Sequence, residues 1–131
     1  MTPEPSQPKA ADRPRVLVID DEVQLLGAMR DGLAAEFTVD TATTAAEAEK
    51  LLGARPYTVM ICDHLLPGEA GLDFLVRMRE RYPAIRRILL TGYINPELIS
   101  RSVAVAELAA CLIKPVPVAE LVRVVRGTVH P

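Results

Sequence analysis

The stretch Arg15-Val16-Leu17-Val18-Ile19-Asp20-Asp21-Glu22 sets the fold class. After Arg15, four branched aliphatic residues follow one another without alternation. A strand of this kind is apolar on both faces, as parallel strands are when helices cover them above and below. Similar runs recur at Thr58 to Cys62, Arg87 to Leu90 and Ala110 to Ile113, with a weaker one at Phe37 to Asp40.

The intervening segments carry helical signals. Val23, Leu26, Met29 and Leu33 recur at helical spacing after Glu22. Thr44-Ala45-Ala46-Glu47 forms a capping box, in which hydroxyl and carboxylate satisfy free backbone N–H groups reciprocally. Its helix is expected to run to Gly53, a left-handed stop. Leu72, Leu75 and Met78 mark a third helix that ends before Pro83. Asn95 followed by Pro96 reads as an N-cap with proline in the first turn, and Ile94 and Ile99 are placed to staple that helix end. Val118, Leu121, Val122 and Val125 form the stripe of the last helix, with Glu120, Arg123 and Arg126 facing outward. Five repeats of strand then helix imply an α/β fold with a parallel sheet covered on both faces, because parallel strands need right-handed crossovers.

The 131 residues suit one domain with a sizeable core. Residues 1–14 hold four of the eleven prolines and few apolar side chains, so they read as a disordered leader before a domain spanning 15–131. A net charge of −2 offers no electrostatic footprint for nucleic acid or an anionic membrane. No apolar run suggests a membrane span or a secretory signal, and a cytoplasmic location follows by default. Cys62 and Cys111 each lie in an apolar run and read as free buried thiols. His64 and His130 have no ligand-spaced partners.

In open parallel sheets, ligands bind beyond the carboxyl ends of the strands. The residues at those ends are Asp20 and Asp21, then Asp63, Thr91 and Lys114. Each has an ordinary explanation taken singly: Asp21 as a helix cap, Asp63 as the start of a turn before Pro67 and Gly68, Thr91 as a loop hydroxyl, Lys114 as a surface charge. Their convergence on the ligand-binding edge is what points to a site. Three carboxylates held together repel by about 4 kcal/mol per pair at about 4 Å and an effective dielectric of about 20. Magnesium, which prefers carboxylates, waters and phosphate oxygens, removes that penalty. Phosphoryl transfer requires positioning and charge neutralisation more than covalent help. Mg2+ and Lys114 would neutralise the moving group, Thr91 would donate to one of its oxygens, and Asp63 would be the nucleophile of an acyl phosphate.

These residues resemble the receiver domain of response regulators in two-component signalling. The resemblance runs from about Arg15 onward through VLVIDDE, DHLLPGEAG beginning at Asp63, LLTG ending in Thr91-Gly92, and LIKP with Lys114-Pro115. It implies a flavodoxin-like, doubly wound (βα)5 fold with strand order 2-1-3-4-5. It also implies a magnesium site from Asp20, Asp21, Asp63 and the backbone carbonyl of Leu65, with Asp63 as phosphoacceptor. The implied donor is a phosphohistidine on a sensor histidine kinase or phosphotransfer protein, and Lys114-Pro115 is implied to be a cis peptide, which proline makes affordable. In that order the third and fifth strands are two spacings apart, about 9.5 Å, too far for a Cys62–Cys111 disulfide. Two departures stand out. Cys111 occupies the position where relatives carry the Tyr or Phe that moves inward with the threonine, with Tyr93 as a candidate substitute. Leu66 replaces a common methionine at little cost.

Three readings follow. The first is a phosphorylation switch that repacks the face of helix 4, strand 5 and helix 5, through which it could also dimerise. Val116 and Val124 are expected to lie outside the core stripe and to add to such a surface. The second, favoured only by Cys111, is a receiver-like interaction scaffold that works without phosphate. The third, a phosphatase acting on outside substrates, is opposed by the absence of a DxD pattern at Asp63. The chain is thus expected not to be an enzyme in the ordinary sense.

Overall fold

The computed structural model describes residues 13–92 and 95–130. The elements run β1 (Arg15–Ile19), α1 (Val23–Leu33), β2 (Thr38–Ala42), α2 (Ala45–Ala54), β3 (Val59–Asp63), β4 (Leu65–Leu66), β5 (Glu69–Ala70), α3 (Gly71–Arg81), β6 (Arg86–Thr91), α4 (Pro96–Ala106), β7 (Ala110–Ile113) and α5 (Val118–Val129). The five main strands form one parallel sheet in the order β2-β1-β3-β6-β7, which is 2-1-3-4-5 when β4 and β5 are set aside. This is the flavodoxin-like topology expected from the sequence.

The apolar runs lack alternation because both sheet faces are covered, and successive side chains point to opposite faces. Leu17, Ile19, Met60, Cys62 and Leu89 pack with α2 and α3 through Ala48, Leu52, Phe74, Leu75 and Met78. Val16, Val18, Val59, Ile61, Ile88 and Leu90 pack on the other side with α1 and α5 through Leu26, Met29, Leu33, Leu121 and Val125. Helix α4 is held more loosely: only Ser102 and Ala106 on it are buried.

Most boundaries follow the sequence signals, with instructive exceptions. Thr44 caps α2 by accepting from the Glu47 amide at 3.1 Å. Gly53, however, is not a left-handed stop. The helix continues through Ala54 and leaves by extended backbone at Arg55 (φ −139°), whose guanidinium reaches Asp40 on the neighbouring strand. Asn95 caps α4 by accepting from the amides of Glu97 (2.9 Å) and Leu98 (3.3 Å). Its proposed staple partner Ile94 lies outside the described residues, as do Tyr93 and residues 1–12 of the proposed leader. Val116 and Val124 are not free surface residues: both pack against the α1–α5 side of the core, Val116 from the segment before α5 and Val124 from beside the helix's central stripe. Among the described residues, the exposed large aliphatics of the last third of the chain are Leu98, Val103 and Val105 on α4 and Ile113 on β7.

Edge strand β2 is pinned by one carboxylate. Asp40 accepts from Arg15 (2.9 Å), Arg55 (2.9 Å) and the Tyr57 hydroxyl (2.7 Å). Partial burial works to raise the Asp40 pKa, but these three donors outweigh it and hold it below the ordinary value. Burial, reinforced by the Asp40 charge, pushes the Tyr57 hydroxyl up. A carboxyl whose pKa is depressed by folding adds stability above its unfolded value, near 3.8, and loses it as the pH falls through the folded value. Asp40→Asn should therefore cost about 1–3 kcal/mol near neutral pH, the scale of hydrogen bonds to a charged group. Denaturant midpoints followed from neutral pH into acid should show that penalty shrinking. A penalty that stays constant would mean the carboxylate charge contributes nothing.

Candidate functional site

The carboxyl ends of β1, β3, β6 and β7 lie along one edge of the sheet. Asp20 follows β1 directly and is buried, Asp63 ends β3 and is buried, and Thr91 ends β6 and is buried. Lys114 follows β7, one step beyond the Thr91–Ile113 pair, and its backbone N–H donates to the Thr91 carbonyl at 2.8 Å. Parallel register alone therefore carries residues far apart in sequence to one place.

Carboxylate oxygens of Asp20, Asp21 and Asp63 all lie within 4.8 Å of one another. Lys114 Nζ is 2.7 Å from Asp63 Oδ1 and 3.4 Å from Asp20 Oδ2. The Lys114-Pro115 peptide is cis. Burial raises the Asp20 pKa, and the neighbouring Asp63 charge adds to that against the opposing pull of the Glu22 amide and Lys114. Burial works to lower the Lys114 pKa, but its contact with Asp63 and the charge of Asp20 outweigh it and raise the value. One ammonium thus contacts two carboxylates of the trio.

The capping explanation for Asp21 does not hold, because α1 has no side-chain cap. It is Asp20 instead that accepts from the Glu22 amide, at 2.9 Å, which orients its carboxyl group. Asp21 stands exposed at the rim. A hard-oxygen trio of this kind fits magnesium, and a divalent cation would relieve both the burial cost and the Asp63 repulsion that oppose a charged Asp20.

The loop after Asp63 is built from a feature too short to read in the sequence. Residues Leu65–Leu66 and Glu69–Ala70 pair antiparallel, with Gly68 at positive φ (79°) in the turn. The Leu65 amide donates to Asp63 Oδ2 at 3.4 Å, while its side chain is exposed. The Gly71 amide closes the loop onto the His64 carbonyl at 2.8 Å. A side chain at Gly71 would collide with the backbone carbonyl of Asp63, so only glycine permits this approach. Leu66 is buried in the core, the environment a methionine would also occupy.

His64 was silent in sequence terms, yet its Nδ1 lies 3.6 Å from Asp63 Oδ1. Its position one residue past a buried strand-end acid was the available signal. Cys62 is fully buried and Cys111 half-buried, both as free thiols on strands separated by β6. Cys111 lines a largely apolar cavity of about 200 Å³ together with His64, Thr91, Leu89, Leu98 and Ser102.

Among the described residues no helix is long and apolar enough to cross a membrane. A family model described as the response regulator receiver domain matches residues 16–126. The hydrogenase transcriptional regulatory protein HoxA of Cupriavidus necator is 40% identical over 115 residues, which are 88% of this chain but 24% of that protein. The photosynthetic apparatus regulatory protein RegA of Cereibacter sphaeroides is 37% identical over 83 residues, 63% of this chain and 45% of that one. This chain therefore spans only a part of these relatives. The crystal structure of the signal receiver domain of an HD domain-containing protein from Pseudomonas fluorescens superposes with a TM-score of 0.83 at 30% identity, covering 90% of this chain and 95% of that one. With the family model matching most of its length and the sheet order, the chain belongs to the response regulator receiver domains.

Proposed function

We propose that the domain is a phosphorylation switch in which Asp63 accepts a phosphoryl group from a phosphohistidine of a sensor histidine kinase or phosphotransfer protein, in the cytoplasm. The observation that carries this reading is the meeting of three carboxylates within 4.8 Å of one another with the Lys114 ammonium 2.7 Å from Asp63. Asp20, Asp21, Asp63 and the Leu65 carbonyl would hold Mg2+. When bound, the ion supplies positive charge against the phosphoryl oxygens and removes the repulsion within the trio.

The chain's own residues have separable tasks. An Asp63 carboxylate oxygen attacks phosphorus; an O–P bond forms, the P–N bond to the donor imidazole breaks, and its electron pair returns to the ring nitrogen. Lys114 pairs with the phosphoryl oxygens, and Thr91 donates its hydroxyl to one of them. The added charge of about −1.5 to −2 supplies the bias that draws Thr91 toward the site and repacks the α4–β7–α5 face. That face carries the exposed Leu98, Val103, Val105 and Ile113 and would also serve a homodimer or a downstream target. The chain performs no turnover on outside substrates in this reading. A phosphate-independent scaffold rests on Cys111 alone, since every side chain of the proposed chemistry is present.

Incubation with a small phosphodonor and magnesium should add one phosphoryl mass to wild type and none to Asp63→Ala. A wild-type protein left unmodified where another receiver domain is labelled would favour the scaffold. Metal binding has its own measurement. At about 100-fold excess over Kd, magnesium should stabilise the domain by about 2.7 kcal/mol, visible as a rise of several degrees in Tm. Asp21→Asn, at an exposed position, should leave the metal-free Tm unchanged and diminish that rise. Asp20 is different, because its raised pKa means the folded state binds more protons above pH 3.8, so its contribution to stability falls as the pH rises. Asp20→Asn should consequently raise the metal-free Tm at neutral pH by a few degrees while removing the response to magnesium. A drop in the metal-free Tm would contradict the repulsion argument.

A further inference from the structure

Helix α3 starts immediately behind the acceptor loop, and one of its side chains reaches back across it. Arg77 donates from Nε to Glu69 Oε2 at 2.9 Å and from Nη2 to Glu69 Oε1 at 2.7 Å, a two-point fork. The same guanidinium touches Glu49 on α2, with Nη1 3.3 Å from Oε1. Its carbon also lies 5.6 Å from the ring centroid of Phe74, a fully buried core residue. Two carboxylates and an aromatic face therefore fix one planar group, and that plane restricts where Glu69 can sit.

Glu69 belongs to the short hairpin of the acceptor loop. It pairs with Leu66, and its neighbour Ala70 pairs with Leu65. The hairpin otherwise projects outward: Leu65 is 59% exposed, and a side-chain carbon added at Gly68 in the turn would meet nothing within 4 Å. Its inner anchors are the buried Leu66 side chain and the Gly71–His64 hydrogen bond. The outer strand has Arg77.

We propose that Arg77 is a positioning residue for the metal site: by clasping Glu69 against α3 and α2 it fixes the hairpin and so the direction of the Leu65 backbone carbonyl. The inference rests on the reading above, in which that carbonyl is a magnesium ligand. Exposed ion pairs usually add little to global stability, so the clasp acts on local geometry and not on the fold. Lysine would keep the charge but lose the fork, and so would not replace it.

Arg81 supplies an internal control. It bonds Glu49 at 2.9 Å from the next turn of α3 and does not share the Glu69 contact. Long-range electrostatics predicts that removing either positive charge would draw a cation in more strongly. The clasp predicts the opposite for Arg77.

The experiment is a calorimetric titration of magnesium chloride into wild type, Arg77→Gln, Arg77→Lys and Arg81→Gln, with metal-free Tm and hydrogen exchange at the Gly71 amide recorded for each. Arg77→Gln and Arg77→Lys should weaken magnesium binding by about 3–10-fold, below the usual loss for a direct partner of a metal ligand. Both should also speed Gly71 exchange at an unchanged metal-free Tm. Arg81→Gln should bind as wild type does or slightly tighter. If wild type binds magnesium and the Arg77 variants bind it equally, or if Arg81→Gln weakens it as much as they do, the clasp is overturned and the metal site stands. If wild type itself does not bind, the metal site falls and the clasp with it. Arg77 variants that lose Tm in step with affinity would also overturn it, by assigning the arginine to the fold.

Discussion

Two buried carboxylates share the Lys114 ammonium at the edge of the sheet with a third, exposed carboxylate close by, and that imbalance of charge organises the site. Burial favours the neutral form of Asp20, and the charge on Asp63 favours it further. Removing the charge would be the simplest relief, yet the surroundings hold the carboxyl groups in place. The Glu22 amide holds Asp20, the Leu65 amide and Lys114 hold Asp63, and the sheet register leaves neither backbone free to withdraw. A site that stays repulsive while its ligands remain oriented is one built to receive positive charge.

Such orientation depends on a sheet that does not yield. The strands carrying Asp20 and Asp63 are central, and every residue of β3 is buried. Side chains that alternate between two packed layers tie any shift at the edge to losses on both faces. Among the described helices α4 has the fewest buried residues. Helix α4 rests on two buried residues, and its Ser102 hydroxyl turns back to its own Leu98 carbonyl at 2.8 Å instead of crossing to the sheet.

The sequence was readable wherever a local pattern had one physical cause. Covered parallel strands are apolar on both faces, so RVLVI and TVMIC declare themselves, and the acids that follow fall on the ligand edge by topology. Features that depend on tertiary contact were not readable. Gly53 has the composition of a helix stop, but Arg55 finds Asp40 and the chain exits extended without needing positive φ. Arg87 looks like the polar flank of a strand. It is in fact 5% exposed, donating to the carbonyls of Ile85 (2.6 Å) and Ala106 (2.9 Å), partners nearby and distant that no periodicity marks. The β4–β5 hairpin has two residues per strand, below the length at which alternation means anything.

Arg87 also gives α4 a direction. Its guanidinium binds the carbonyls of Ala106 and Glu107, and Arg79 binds that of Val105 at 2.9 Å, so the last turn is secured to β6 and α3. Burial lowers the Arg87 pKa, yet a guanidinium stays charged throughout the physiological range, which makes this clamp permanent. The first turn carries the Asn95 cap: Pro96, Glu97 and Leu98 are exposed, and Leu98 and Ile99 border the cavity shared by Thr91 and Cys111. The two ends of α4 are thus held by different means, guanidinium–carbonyl contacts at the last turn and a side-chain cap at the first. Cys111 lines that cavity from β7 with a side chain smaller than an aromatic ring, so the wall facing Leu98 and Ile99 is apolar but short.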